Sequence, residues 1–413
     1  MVVVNYLYYD TIFIPLFILQ TCVFFSSIYF LIYSVKSIKN VPKLIPIANS
    51  HNIDYPMLSI ILPCRNEEKY IGKCLDSLLV QDYPNYEIIA INDSSSDKTG
   101  EIIKRYSMTH NKIIFVDAQP KPEGWTGKNW ACYQGYLQAN GNILLFTDAD
   151  SIHCTSTMSL ATNYLLSQRL DSLTVIPKIL ANDFWTKITL PILWTFSVAR
   201  FSPLKANNPK TKKGGYFFGS FFIITKKVYE LVGTHRSVRE EIVEDAELGR
   251  KVKENGFSLR VIHGEKYIRA IWARDPSNLF QGLKRLLIPL YKRERIKASV
   301  MGIATFVLLL LPIIILPLSI TIIKGQKDAG EDMTKSLIIL ILIIISISLI
   351  IINSILQLKY VIFQNVLYSL AFPLAGSFIL VAFVSSIIHS KHKDAINWQG
   401  RRYSINQKNN RDG

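Results

Sequence analysis

The chain has 413 residues, 49% of them hydrophobic, and carries a formal net charge of +16 at pH 7. Its five cysteines have no CxxC or other metal-binding spacing, which argues against a zinc-type site and predicts reduced structural thiols. The basic excess is compatible with a nucleic-acid or an anionic-lipid partner, and because the basic runs flank apolar segments we expect anionic lipid headgroups and no nucleic acid.

The first predicted element is a transmembrane helix. Residues 11–35 are almost uncharged and long enough to cross a bilayer. Lys36, Lys39 and Lys43 follow this run, and the positive-inside rule places them in the cytoplasm together with the domain that comes next. The sequence therefore predicts a protein of the cell membrane whose globular part, residues 57–275, faces the cytoplasm.

The globular part alternates predicted strands with predicted helices. Short apolar runs predict strands, and apolar residues spaced three or four apart predict helices. In chain order the strands are Met57–Leu62, ended by Pro63, then Tyr86–Ile91, Lys112–Val116, Asn142–Thr147 and Ser172–Ile176, followed by the apolar run Gly219–Thr225. The helices are Glu67–Gln81, Asp97–Tyr106, Gly127–Ala139 and Ile242–Asn255. This alternation predicts an α/β fold with a mostly parallel, Rossmann-like sheet.

The segment after the domain, residues 278–297, has a pattern of its own. Leu279, Leu283, Leu286 and Leu290 recur at helical spacing, and basic residues fill in around them. The pattern is typical of an amphipathic helix on a membrane surface, and a core helix of the domain is the alternative. We expect the interfacial helix, because an apolar segment begins directly after it.

The remainder of the chain is predicted to be a C-terminal membrane region, residues 299–389, followed by a basic polar tail, residues 390–413. The region holds about three hydrophobic segments, at 299–323, 336–356 and 361–389, so the protein is expected to be multi-pass. Three crossings would place the tail outside, whereas its basic residues favour the inside. One segment is then re-entrant, the candidates being the regions of Pro312 and Pro317 or of Pro373.

Two carboxylates directly follow the fourth predicted strand. Asp148 and Asp150 lie at i and i+2 past a buried run, so both fall at the carboxyl edge of the sheet, where open α/β sheets bind ligands. A carboxylate pair suits Mg²⁺ or Mn²⁺, which take oxygen ligands and bridge to phosphates. An ordinary turn is the alternative for an isolated Asp-x-Asp.

Further polar loops fall at the same predicted edge. Asp93, after the second strand, could accept the ring N–H of a uracil. Lys128 opens a helix directly after a glycine, and a cation beside free backbone N–H groups favours a diphosphate. A solvated surface lysine is the alternative. Such a cluster of loops is the expected shape of a nucleotide site.

An acidic cluster starts the helix Ile242–Asn255. Glu244 and Asp245 lie there, where acids often only stabilise the helix dipole. The position of Asp245, nearly a hundred residues after the carboxylate pair, makes a base that accepts a proton from an attacking hydroxyl plausible.

Together these residues resemble the family 2 glycosyltransferases with the GT-A fold. The match runs from about Ser59 to Phe257, and its parts in this chain are SIILPCRNEE, NDSSSDKTG, GKNWACYQG, LLFTDAD and EDAELGRKVKENG. Asn92 stands where the family more often has Asp, and Asp93 is kept. A narrower resemblance, carried by GWTGKNWA, Gly233–His235 and WQGRRY, is to the membrane-bound branch that acts on carotenoid acids and hopanoid lipids.

The resemblance implies a role for each residue. Asp93 binds the uracil, and Pro63, Glu67, Lys128 and Asp148 belong to the nucleotide-sugar site. Asp148 and Asp150 hold the divalent metal, with Asp150 the more direct ligand. Asp245 is the catalytic base, with Glu244 beside it.

The function expected is an inverting transfer of a sugar from a nucleotide-sugar, UDP-linked, to a membrane lipid acceptor derived from an isoprenoid. A dolichyl- or polyprenyl-phosphate sugar synthase would use the same chemistry. A polysaccharide synthase is disfavoured, since Gln281 and Arg285 are one residue too far apart for the Gln-x-x-Arg-Trp motif and no Trp follows. A non-enzymatic membrane scaffold is the alternative from another class, and metal-dependent UDP binding would argue against it.

Overall fold

The structure is a computed structural model that describes residues 2–46, 55–389, 396–398 and 400–403. The helices are α1 (Val2–Asn40), α2 (Ile71–Leu79), α3 (Thr99–Thr109), α4 (Gly127–Leu137), α5 (Thr157–Ser167), α6 (Phe184–Arg200), α7 (Pro203–Ala206), α8 (Lys226–Leu231), α9 (Glu244–Glu254), α10 (Pro276–Arg293), α11 (Arg295–Thr305), α12 (Leu311–Asp328), α13 (Thr334–Gln357) and α14 (Phe372–His389). The strands are β1 (Leu58–Cys64), β2 (Tyr86–Asn92), β3 (Ile113–Asp117), β4 (Ile143–Phe146), β5 (Ile152–His153), β6 (Ser172–Ile176), β7 (Lys178–Leu180), β8 (Phe222–Thr225), β9 (Leu259–His263), β10 (Ile268–Ile271), β11 (Ile396–Trp398) and β12 (Arg401–Tyr403). Two short 3₁₀ turns, His235–Val238 and Val366–Ala371, and two π turns, Phe306–Leu310 and Leu358–Ile362, complete the described elements.

A seven-stranded sheet in the order β3-β2-β1-β4-β8-β6-β9 forms the centre of the globular part. Its pairs are parallel except where β8 lies antiparallel between β4 and β6. Strands covered on both faces need apolar residues at every position, and β1, β2, β4 and β6 are almost continuously buried. The predicted mostly parallel α/β fold is confirmed, and a small sheet, β5-β10-β7, lies beside it.

The first strand does not end before Pro63, as predicted, but continues to Cys64. The carbonyl oxygen of Ile61 points toward β4, where it accepts the N–H of Thr147. Pro63 lies two residues further along the strand, so its backbone nitrogen also points toward β4. Strand β4 already ends at Phe146, opposite Ile61. The missing N–H of Pro63 therefore costs no ladder hydrogen bond, and the other edge of the strand goes on pairing with β2.

The second helix begins at Ile71 instead of Glu67. The backbone N–H of Glu67 donates to the hydroxyl of Thr99 at 2.7 Å, and that of Glu68 donates to Asp97. These contacts hold the start of the predicted helix as a loop against α3. The loop thereby becomes part of the sheet edge where the site lies.

Four helical stretches are long and apolar enough to cross a membrane: Phe13–Asn40, Arg295–Asp328, Thr334–Ile362 and Val366–His389. Buried polar pairs join the first to the third, since Gln20 donates to Ser346 and Gln357 donates to Ser34. Such interhelical hydrogen bonds suit helices that lack a hydrophobic driving force for association in lipid.

The predicted helix 278–297 is observed as α10, which ends at Arg293, before α11 begins at Arg295. Its buried leucines, Leu283 and Leu287, pack with Ile188 of α6 and Ile379 of α14. Leu286 of the predicted stripe is only half-buried, and Ile288 is buried instead. One face of this helix is therefore covered by protein.

The predicted tail, residues 390–413, lies partly outside the described residues, which include only 396–398 and 400–403 of it. Those residues form the antiparallel hairpin β11–β12. Arg401 of this hairpin reaches Asp93 in the globular part. The end of the chain thus returns to the loops at the carboxyl edge of the sheet.

Candidate functional site

The carboxylate pair lies just past β4, at the predicted sheet edge. The side chain of Asp148 is 35% exposed and that of Asp150 is 18% exposed. Burial, together with the nearby carboxylates of Asp148 and Glu67, raises the pKa of Asp150 to about 7. Carboxylates crowded in this way fit a divalent cation, which would relieve their repulsion.

The pair alone does not complete a metal site. Among the residues that the structure describes, no three His, Cys, Asp or Glu side chains are arranged to hold one metal ion. Mg²⁺ and Mn²⁺ sites in enzymes of phosphate chemistry often use one or two carboxylates and take the remaining oxygens from the substrate. The donor set at Asp148 and Asp150 fits that arrangement.

Lys128 lies between two of the acidic groups. Thr126 caps the start of α4 by accepting from the N–H of Asn129, which places Lys128 in the first turn. The ammonium lies 2.7 Å from Asp148 and 2.8 Å from Glu244. Burial alone would lower the pKa of Lys128, but Asp148, Glu244 and Asp245 together raise it well above its usual value. Lys128 is therefore a permanent cation at the centre of the acidic cluster.

Asn129 explains how α4 meets the acidic helix, and sequence reasoning missed it. Its buried amide donates to the carbonyls of Val238, Arg239 and Glu241, at 2.7, 3.1 and 3.0 Å. These bonds fasten the loop before α9 to the start of α4. Lys128 and Glu244, far apart in sequence, are brought together as a result.

Asp245 is held by backbone amides. It accepts the N–H of Gly219 at 2.7 Å and that of Ala246 at 2.8 Å. Burial and the Glu244 carboxylate, opposed by Lys128, raise the pKa of Asp245 to about 6. The group is thus ionised at neutral pH and more basic than an ordinary aspartate, as a general base requires.

Gly219 marks the point where the groups converge. A Cβ atom on this residue would lie 3.0 Å from Asp245 Oδ2, 3.0 Å from Lys128 Nζ and 3.2 Å from Asp148 Oδ2. Any side chain there would intrude among the three groups. This glycine falls in the predicted run Gly219–Thr225, but the observed strand begins only at Phe222.

Asp93 lies at the end of β2 with its side chain almost covered. Its N–H donates to the carbonyl of Cys64, and Arg65 donates to its carbonyl oxygen at 2.6 Å. The carboxylate accepts from Arg401 at 2.5 Å. Burial raises the pKa of Asp93, while the Arg401 guanidinium opposes that shift.

Glu67 is engaged by Arg274, a second residue that sequence reasoning missed. The guanidinium donates to both oxygens of Glu67, at 2.6 and 2.5 Å, and lies 3.5 Å from Asp150. Burial raises the pKa of Glu67, and Arg274 opposes that shift. The signal in the sequence was weak, a single Arg before the Asp275-Pro276 helix start.

Pro63 lines a small cavity with Lys128.

Residues 59–243 match the sequence profile of a family described as "Glycosyl transferase family 2". Two relatives from Staphylococcus aureus, strains RF122 / ET3-1 and USA300, are named 4,4'-diaponeurosporenoate glycosyltransferase. Each is 29% identical over 54% of this chain and 58% of its own length. The chain therefore spans little more than half the length of the curated relatives it matches.

A solved structure shares the fold. It is described as "Mannosyltransferase PcManGT from Pyrobaculum calidifontis in complex with GDP-Man and Mn2+", and it superposes with a TM-score of 0.53 at 17% sequence identity, covering 90% of this chain and 97% of that one. The expected GT-A-like fold is confirmed by this likeness.

Proposed function

We propose that residues 59–243, which match the family 2 glycosyltransferase profile, form a catalytic domain, and that the protein transfers a sugar from a nucleotide-sugar to a membrane lipid acceptor with inversion at the anomeric carbon. The observation that carries the proposal is the convergence on Gly219 of a cation, a carboxylate of the Asp148/Asp150 pair and the more basic Asp245. Inverting transfer needs a base for the acceptor close to the positive charge that stabilises the departing diphosphate, because one sugar lies between the two.

The donor is proposed to lie along the carboxyl edge of the sheet. Asp93 would accept the N3–H of a uracil, and the diphosphate would extend from there toward Lys128 at the start of α4. A helix start with an adjacent ammonium is a favourable place for phosphate oxygens. The ion pair with Glu67 would hold the guanidinium of Arg274 beside Asp150, where the guanidinium adds positive charge.

Asp148 and Asp150 would hold Mg²⁺ or Mn²⁺, whose charge would neutralise the diphosphate as it leaves. Lys128 would contact a phosphate oxygen with the third donor of its ammonium, since the other two are directed to Asp148 and Glu244. The complex of the Pyrobaculum protein with GDP-Man and Mn²⁺ supports a metal and a nucleotide-sugar in this fold.

The acceptor is proposed to come from the membrane side. Phe218, next to Gly219, stacks on Trp194 of α6, with ring centroids 6.0 Å apart. Helix α6 packs against α14, one of the long apolar helices. A series of apolar side chains therefore leads from these helices through Trp194 and Phe218 to Gly219, whose N–H donates to Asp245. A route of this kind suits a lipid whose reactive head must reach the base while its chain stays among apolar groups.

The chemistry of the acceptor decides what Asp245 does. A hydroxyl must lose a proton as it attacks, and Asp245 would take it. A carboxylate, as in the name of the Staphylococcus relatives, or a phosphate is already ionised at neutral pH. For such an acceptor Asp245 would orient the head group, and its removal would cost less.

The test uses the full chain in lipid with Mn²⁺, a total lipid extract and a panel of radiolabelled nucleotide-sugars. Label passing into the organic phase is expected for the wild type and for Asp82→Asn, at an exposed aspartate after the C-terminal end of α2, but not for Asp150→Asn. Mass spectrometry of the product would identify sugar and lipid. No transfer from any donor, together with no metal-dependent nucleotide binding, would reject the proposal in favour of a scaffold.

A further inference from the structure

The hairpin β11–β12 contributes a side chain to the proposed nucleotide site. Arg401 of β12 donates to Asp93 Oδ2 at 2.5 Å, across 308 positions of sequence. The two side chains are 18% and 6% exposed, so solvent screens their interaction little. A second nitrogen of Arg401 lies 3.5 Å from the Asp93 carbonyl oxygen.

The neighbouring glycine leaves room for this pair. A Cβ atom on Gly127 would lie 2.7 Å from Asp93 Oδ2 and would overlap the Arg401 guanidinium. Gly127 is the first residue of α4 and precedes Lys128, so the pair sits directly beside the proposed diphosphate position. The guanidinium is therefore part of the wall that a base would touch.

The pair presents a different hydrogen-bond pattern from that of a bare carboxylate. An unpaired carboxylate can accept two adjacent N–H groups side by side, as guanine offers with N1–H and N2–H. With Arg401 on Oδ2, the pair instead presents an acceptor beside a donor. Uracil offers the matching pattern, an N3–H donor flanked by carbonyl acceptors, whereas guanine would direct a second donor at the guanidinium.

We propose that Arg401 is a specificity-determining residue that selects a uracil over a guanine nucleoside diphosphate. This inference rests on the proposed function, because it concerns the donor of the same reaction. The guanidinium both attracts uracil and rejects guanine, because it leaves the second N–H donor of guanine without an acceptor. The fold alone does not set this choice, since the Pyrobaculum structure of the same fold is described with GDP-Man.

The test is calorimetric titration of the full chain in detergent with Mn²⁺ and either UDP or GDP. The wild type is expected to bind UDP at least about tenfold more tightly than GDP, from one hydrogen bond to a charged group. Arg401→Ala should weaken UDP binding by about tenfold and tighten GDP binding, because the freed Asp93 carboxylate can then accept both guanine N–H groups, so that the preference disappears or reverses. Arg401→Met keeps the aliphatic bulk of the side chain and should have the same effect. This second variant shows that the effect comes from the missing guanidinium and not from unfolding of the hairpin. Arg105→Ala, on the exposed face of α3, is the matched control.

The other outcomes overturn the inference in distinguishable ways. A wild type that binds GDP as well as UDP has no such selection. A UDP preference that persists in both Arg401 variants places base selection elsewhere and leaves the proposed function standing. Tighter UDP binding in the variants would make Arg401 a competitor of the base. No binding of either nucleotide to the wild type removes the inference and the proposed function together.

Discussion

Replacing Lys128 with Met should destabilise the protein in a pH-dependent way. The substitution keeps the bulk of the side chain but removes the ammonium that lies 2.7 Å from Asp148 and 2.8 Å from Glu244. Breaking a fully buried ion pair costs about 3–5 kcal/mol. Because the side chains of Lys128 and Asp148 are each 35% exposed, we discount this for solvent screening to about 1–2 kcal/mol.

The sign of the pH dependence follows from the carboxylates left behind. Lys128 opposes the rise in the pKa of Asp245, so that pKa should climb above its present value of about 6 when the ammonium is removed. A carboxyl whose pKa is raised by folding favours the folded state when protonated, and that contribution is lost as the pH rises through the raised pKa. The variant should therefore be close to wild type at pH 5 and clearly weaker at pH 8.

Thermal unfolding in detergent, without metal, measures this effect. A loss of 1–2 kcal/mol corresponds to a melting temperature lower by about 2–6 °C at pH 8, with less than half that loss at pH 5. Lys73→Met, at an exposed lysine of α2, is the matched control and should melt like the wild type at both pH values. An equal loss at both pH values, or no loss at pH 8, would refute the electrostatic account of Lys128.

Three further predictions concern the site directly. Asp245→Asn should slow transfer to a hydroxyl acceptor by about 100-fold or more and remove the acidic limb near pH 6 from the rate profile, whereas near-wild-type rates would exclude a base. Asp150→Asn should abolish the rise in melting temperature on adding Mn²⁺, and an unchanged rise would move the metal elsewhere. Gly127→Ala should weaken UDP binding by about tenfold in a titration, because the methyl group displaces Arg401, and unaltered binding would contradict that contact.

Local patterns were enough to predict the sheet and its edge. The strand Ser172–Ile176 is observed with the predicted bounds, because a wholly buried strand must be apolar throughout and leaves a clear run. Asp148 was predicted at the sheet edge for the same reason, since it directly follows such a run. The end of β1 was wrong, because the consequence of a proline depends on which neighbour its missing N–H faces.

The partners of the site residues could not be predicted in this way. Asn129, Arg274 and Arg401 act on groups 109, 207 and 308 positions away, through contacts that leave no local periodicity. A single arginine looks the same in a sequence whether it is solvated or buried against a carboxylate. Only the arrangement of the loops in space shows which of the chain's cations are paired with the acids of the candidate site.

The contact between Arg401 and Asp93 also limits how the chain can lie in a bilayer. A chain that leaves the domain through α10 and returns to it at Arg401 must cross an even number of times, so the three later candidate spans cannot all cross. A Cβ on Gly376 of α14 would lie 3.0 Å from Leu309, and one on Gly302 would lie 3.6 Å from Phe383. Helix α14 therefore starts partway along the span Arg295–Asp328 and runs back toward α10 and the domain. We therefore infer that the segment that contains Pro373 returns without crossing, which would reconcile the basic tail with a domain on the same side.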